Sequence, residues 1–165
     1  MKQSKIIFGL VLFLVLAFTN SSHAQESKFK ALFIYKFAEY IEWPSGKKNV
    51  TVGMAGKSGV SKELSNFAAS KGNMTVLDIG GPSDTGKCDI IFLPNSEDSK
   101  IADYNSAIGG KSVLVVSENS ELAGKGSDIG FYLDSGKLRF LIDEKSIRNK
   151  KMTPSSKLLA LGKPI

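Results

Sequence analysis

One stretch of this chain reads like chemistry at first sight: Gly53-Met54-Ala55-Gly56-Lys57-Ser58, after a strand-like run and before a helical one. It ends in the Gly-Lys-Ser of a phosphate-binding loop. Such a loop also needs a glycine where Thr51 stands, because that glycine lets the backbone wrap the phosphate. The segment therefore reads first as a tight strand-to-helix turn that needs positive φ. A second reading keeps it as one wall of a small anion or ligand crevice. Lys57 and Ser58 would be the contact groups, with Pro94 and Asn95 across the gap, if the strand order reverses there.

Other catalytic classes lack their residues. His23 is the one histidine, so once the N-terminal segment is removed no base remains for Ser-His or Cys-His chemistry. Cys88 is the one cysteine, which rules out an intramolecular disulfide and a thiolate metal cluster. The acids Glu97, Asp98, Glu118 and Glu121 are too sparse for a carboxylate cation loop. No catalytic residue, metal ligand or cofactor site is expected. Cys88 opens an apolar run and reads as a buried structural thiol.

The N-terminus explains the histidine. Lys2 and Lys5 precede an apolar run over Ile6–Phe18, and Ser22-His23-Ala24 offers small residues at −3 and −1. That is the pattern of a secretory signal peptide over 1–24, with the mature chain starting at Gln25. The run is short of the about 20 apolar residues that span a bilayer. Localisation in the periplasm follows, and residues 25–165 are long enough for one well-cored domain.

The net charge of +6 falls to +4 without Lys2 and Lys5, and it is uneven. Lys137, Arg139, Lys145, Arg148, Lys150, Lys151, Lys157 and Lys163 face only Asp143 and Glu144 over the last 29 residues. A basic end attracts acidic partners or anionic surfaces and also keeps a protein soluble. Nucleic acid is not expected of an exported chain without a basic stripe interleaved with aromatics.

The elements that must position any site begin with residues 30–44, Lys-Ala-Leu-Phe-Ile-Tyr-Lys-Phe-Ala-Glu-Tyr-Ile-Glu-Trp-Pro. At about 100° per residue, Lys28, Glu39 and Glu42 share one stripe with Tyr35, and nearly all else is apolar. The spacing predicts a helix buried on most sides and stopped by Pro44. Strands are expected at Val50–Met54, Met74–Ile79, Cys88–Leu93 and Ser112–Val116, with helices over Ser61–Ser70 and Lys100–Ile108 between them. Alternation of this kind predicts right-handed βαβ units. Asp128–Leu133 and Lys137–Ile142, joined by Asp134-Ser135-Gly136, read as an antiparallel hairpin. Helices follow over Glu144–Lys150 and Ser155–Leu161, the second started by Thr153-Pro154. The expected fold class is α/β: a mainly parallel sheet of about four strands, extended by the C-terminal hairpin and flanked by helices.

The aromatic run ending in Trp43-Pro44 resembles the first helix of the YfiR-like family of periplasmic regulatory proteins. Val52-Gly53, Cys88-Asp89-Ile90-Ile91-Phe92-Leu93-Pro94, Lys137-Leu138-Arg139-Phe140-Leu141-Ile142-Asp143 and Ser155-Ser156-Lys157-Leu158-Leu159-Ala160-Leu161 fit the same family. The resemblance implies a non-enzymatic α/β protein. It would bind the periplasmic sensor domain of an inner-membrane signalling protein, a diguanylate cyclase, and repress it. It also implies an outer-membrane partner that sequesters the repressor, and a homodimer. Paired redox cysteines occur in some members, but with Cys88 alone that switch does not carry over.

Two functional readings remain. The first is regulation through a protein surface. The candidates are Phe33, Tyr35, Tyr40 and Trp43 on the first helix, for dimerisation or core packing, and Phe131, Arg139 and Phe140 on the hairpin, for the partner. The second is a small-ligand-binding module using Lys57, Ser58 and Asn95, signalling to a membrane sensor such as a histidine kinase.

Overall fold

The computed structural model describes residues 23–44 and 46–165, so the expected signal segment up to residue 22 lies outside the described residues. Helix α1 occupies residues 23–40 and runs straight into β1, Ile41–Glu42. Then come β2 (Val50–Ala55), α2 (Gly59–Lys71), β3 (Met74–Ile79), β4 (Ile90–Leu93), α3 (Ile101–Ile108) and β5 (Leu114–Ser117). The last third holds β6 (Ile129–Asp134), β7 (Lys137–Ile142), α4 (Glu144–Asn149), β8 (Thr153–Pro154), α5 (Ser156–Leu161) and β9 (Lys163–Pro164).

Seven strands form one sheet in the order β3-β2-β4-β5-β6-β7-β9. β3, β2, β4, β5 and β6 are parallel, and β7 returns antiparallel along β6. The mixed, mainly parallel α/β fold is therefore as the alternation implied. The hairpin's first strand joins the parallel set rather than lying beyond it. All four residues of β4 and of β5 are buried, as expected of central strands covered on both faces.

The sheet separates two apolar layers. On one face α1 and α2 pack Ile34, Phe37, Val60 and Leu64 against Val52, Phe92, Leu114, Phe131 and Phe140. On the other, Tyr104 and Ile108 of α3 cover Ile91, Leu93 and Val115. One charged group is built into this framework: the Asp128 carboxylate, fully buried, accepts from Val115 N–H at 2.7 Å, Ser146 Oγ at 2.5 Å and Lys150 Nζ at 2.6 Å. Such a set of partners offsets the desolvation that an unpaired carboxylate would suffer there.

Three local expectations are corrected. Helix α1 stops at residue 40 rather than at Pro44, because Ile41 and Glu42 are drawn into antiparallel pairing with Pro154 and Thr153. Its last carbonyls find tertiary donors: Ser155 N–H reaches Tyr40 C=O at 2.8 Å, and Trp43 Nε1 reaches Ala38 C=O at 3.2 Å. Thr153-Pro154 is that paired strand and not a helix start; Ser155 caps α5, its hydroxyl accepting from Leu158 N–H at 3.3 Å. Tyr35 leaves the polar stripe and is buried, because its ring stacks on Phe67 while its hydroxyl donates to Glu39 at 2.7 Å.

α1 is thus covered by the chain's own sheet. Phe37 is fully buried, with its ring 5.0 Å from Phe140 and 5.9 Å from Phe131. Phe37→Ala should lower the unfolding free energy by about 3–5 kcal/mol, the range for a buried aromatic truncation. Phe29→Ala, eight residues earlier on the same helix but 45% exposed, should cost under about 1 kcal/mol. Urea unfolding followed by far-UV circular dichroism checks both. Equal midpoints for the two variants would contradict this placement of the core.

Candidate functional site

The expected crevice depends on a reversal of strand order, and the reversal is present. β2 leads through α2 to β3 on one side, whereas β4 leads through α3 to β5 on the other. Gly56, at φ +69, makes the turn after β2, as the sequence requires. The gap itself is filled. A Cβ on Gly56 would lie 3.4 Å from Glu97 and 3.6 Å from Pro94, and one on Gly59 would meet Ser27 of α1 at 2.8 Å.

A polar network closes this end of the sheet. Lys30 of α1 is buried and pairs with Glu26 at 2.5 Å and Glu118 at 2.7 Å. Glu118 also accepts from Asn95 N–H at 3.1 Å. Tyr104 donates to Glu97 at 3.2 Å, and Asn119 Nδ2 to Asp98 at 2.8 Å. Burial works against the Lys30 ammonium, but the hydrogen bonds and charges of Glu118 and Glu26 outweigh it and hold its pKa above the usual 10.5. Burial, then the Glu97 carboxylate, push the Tyr104 phenol up to about 12. This arrangement fixes α1 to the sheet end.

Lys57 and Ser58 line a shallow depression of about 470 Å³ with Lys62 and Asp78, on the β3 side of the turn. The Ser58 hydroxyl oxygen is buried there without a hydrogen-bond partner. Asn95 is exposed and lies outside this depression, its backbone committed to Glu118. The proposed pairing of Lys57 and Ser58 with Asn95 across one crevice is therefore not formed, because Pro94 and Glu97 occupy the space between.

Of the partner-surface candidates, Tyr35, Trp43, Phe131 and Phe140 are buried in the core and offer nothing to an approaching protein. They fill the space between α1 and the sheet, which is the core-packing alternative for the helix residues. The aromatic face of the hairpin points inward for the same reason. Phe33 and Tyr40 are half-buried, and Arg139 alone among the seven is exposed. Cys88 is buried, and burial followed by the nearby Asp89 charge raises its thiol pKa, so it is inert as a nucleophile.

An open apolar groove remains where α1 overhangs the hairpin tip. Phe29 and Phe33 form one wall, Leu133 and Leu138 the other, and Gln25, Glu26 and Lys137 the mouth; its volume is about 460 Å³. Phe29 is 45% and Leu133 57% exposed. Deeper in, Phe33 lies edge-on to Phe140 at 5.4 Å, so the groove floor is the core itself. Sequence reasoning missed Phe29 and Leu133 as surface groups. The alternation Phe131, Leu133, Leu138, Phe140 puts all four on one face, but only helix length decides which of them α1 covers.

Lys30→Ala leaves Glu26 and Glu118 without their cation, and should destabilise the fold by about 3 kcal/mol in urea unfolding. An unchanged midpoint would show the network to be ornamental. The Tyr104 shift carries its own sign. With the folded pKa above the ordinary 10, the associated stability is complete below about pH 10 and is lost as pH rises towards 12. In a phenolate absorbance titration of the native protein, Tyr104→Phe should leave the change between about pH 9 and 11 unaltered. A reduction of one tyrosine's amplitude in that range would contradict it.

Among the described residues no helix is long and apolar enough to cross a membrane, and no cluster of His, Cys, Asp or Glu could hold a metal ion. No curated protein matches the chain. Two of the solved structures that share its fold illustrate the likeness. One is a conserved domain protein from Vibrio cholerae O1 biovar El Tor, with TM-score 0.60 and 11% identity over 84% of this chain and 59% of that one. The other is an ABC domain in complex with L-Trp from Streptococcus pneumonia, with TM-score 0.54 and 16% identity over 70% of this chain and 55% of that one. The chain thus spans less than two thirds of either structure. The family described as YfiR/HmsC-like matches residues 27–163, and the chain belongs to that family.

Proposed function

We propose that this protein is a non-enzymatic periplasmic regulator that binds the periplasmic domain of an inner-membrane signalling protein, a diguanylate cyclase, and represses it. The observation that carries the reading is family membership over residues 27–163. Geometry supports it. Lys30, Glu118 and the Asn95 backbone at the sheet end are consumed in structural contacts, while the groove between Phe29 and Leu133 presents apolar surface to solvent. Exposed apolar patches beside charged rims are common at protein interaction sites. The N-terminal pattern supports a mature chain of Gln25–Ile165, one domain released from its signal. Cutting there keeps Glu26, Phe29 and Lys30, and with them the groove and the Lys30 ion pairs.

Crosslinking in intact cells that export the full chain should recover an integral-membrane diguanylate cyclase, and deletion of the gene should raise cyclic-di-GMP. No membrane sensor recovered, together with unchanged cyclic-di-GMP, would overturn the reading.

A second reading rests on the unpartnered Ser58 hydroxyl beside Lys57 and Lys62. Here the protein binds a small anionic ligand and signals to a membrane sensor such as a histidine kinase. A ligand that prefers the folded state raises the melting temperature with concentration. A screen of anionic periplasmic metabolites should give such a rise, and Ser58→Ala should remove it. A flat screen rejects this reading.

A further inference from the structure

β7 closes the sheet for only part of its length. β9 pairs with Leu141 and Ile142 alone, so among the described residues Lys137, Leu138 and Arg139 have a strand on one side only. The hairpin decides which of their backbone groups are free. Ser135 and Gly136 both have positive φ, 51° and 75°, the two-residue turn that sets Asp134 opposite Lys137 as a closing, hydrogen-bonded pair. Bonded and non-bonded pairs then alternate. Lys137, Arg139 and Leu141 direct their groups at β6, while Leu138, Phe140 and Ile142 turn theirs outward. The 3.2 Å bond from Ile165 N–H to Ile142 C=O has that sense. Leu138 is left with an outward N–H and C=O that no strand receives.

The same alternation sorts the side chains. Leu138 and its partner Leu133 stand on the α1 face and line the apolar groove. Arg139 projects from the opposite face, and Lys163, in register with Leu141, joins it there, while Lys137, beside the turn, sits at the mouth of the groove. Among the described residues none of these three cations forms an ion pair; Glu26, the acid at the groove mouth, is held by Lys30. The edge thus offers backbone hydrogen bonds, an apolar trough on one face and positive charge on the other.

We propose that the free edge of β7 receives an extended segment of a partner protein as an added strand, whose residues alternate apolar and acidic. The apolar side chains stand beside Leu138 at the rim of the groove it forms with Phe29 and Phe33, and the acidic ones lie over Arg139 and Lys163. A second copy of the same edge fits poorly, because like charges opposite one another across a strand pair are destabilising. Strand addition takes its affinity from main-chain bonds and its choice of sequence from alternate side chains. This rests on the regulatory reading above and specifies the kind of segment the regulator recognises.

The test uses protein purified from the periplasm of cells expressing the full chain. The probe is a fluorescein-labelled peptide alternating glutamate with valine and leucine, followed by anisotropy. Saturable binding is expected, with a peptide carrying lysine for glutamate at least tenfold weaker. Two N-methylated forms separate the backbone from the side chains, one methylated on every apolar residue and one on every glutamate. One form should lose at least tenfold and the other should bind nearly as the parent. Equal binding of both, or of the lysine peptide, overturns the proposal in favour of charge or groove contact alone. Arg139→Glu combined with Lys163→Glu, at exposed positions, should reverse the preference to the lysine peptide. If that variant still crosslinks the membrane sensor at the wild-type level, the edge proposal fails and the regulatory reading stands. Peptide binding at the edge with no sensor crosslinked has the opposite meaning.

Discussion

The contact between α1 and the hairpin strands governs the rest of the molecule. Phe33 and Phe37 sit one helical turn apart and meet Phe131 and Phe140, which face one another across β6 and β7, at centroid distances of 5.0–6.1 Å. Four rings in offset and edge-on contact gain more than their area burial. They also join segments about a hundred residues apart in sequence, so neither the first helix nor the C-terminal strands have a complete core without the other. Once the rings are docked, the direction of α1 is set. Lys30 then reaches Glu118 at one end of the helix, and Tyr40 reaches Ser155 at the other.

That constraint accounts for where the surface is polar and where it is not. α1 lies over the sheet's carboxyl ends, where a protein of this topology often leaves a ligand crevice. Here Ser27, Pro94 and Glu97 fill it, and Lys30 locks the helix over it. The cost of burying Lys30 is offset by two carboxylates, which favours a fixed helix over a mobile one. At the hairpin tip the helix has run past its partners. Leu133 and Phe29 are the residues left over from two apolar faces of unequal length.

Most of the fold was legible because its signals are local. Met74–Ile79 and Lys137–Ile142 are strands at the bounds the sequence suggests, and the Asp134-Ser135-Gly136 hairpin turn is where its residue types place it. What could not be read depends on contacts distant in sequence. Pro44 looks like the stop of α1, yet pairing with Thr153 and Pro154 stops it earlier. Tyr35 looks polar on a helical wheel, yet Phe67 and Asn73 of the next helix and turn give its ring and hydroxyl a buried home. The burial of Phe131 and Phe140 depends on such a distant contact too. Alternation identifies Phe131 and Phe140 as one face of the hairpin but cannot say that a helix from the other end of the chain covers it. Arg139 was recognisable because its neighbours define the opposite face.

The charged residues of β7 can be understood from both sides of that strand. A sheet edge with unpaired backbone groups beside exposed leucine and phenylalanine is an aggregation hazard. Lys137, Arg139 and Lys163 counter it by making a like edge repulsive, which is how natural sheets commonly keep their edges apart. The same charges do not repel an acidic strand. An edge guarded by one sign of charge is therefore selective and not merely protected: it excludes copies of itself and admits segments of opposite charge. Discrimination of this kind needs no pocket shaped to one ligand, only a short free edge, an apolar trough and the sign of three side chains.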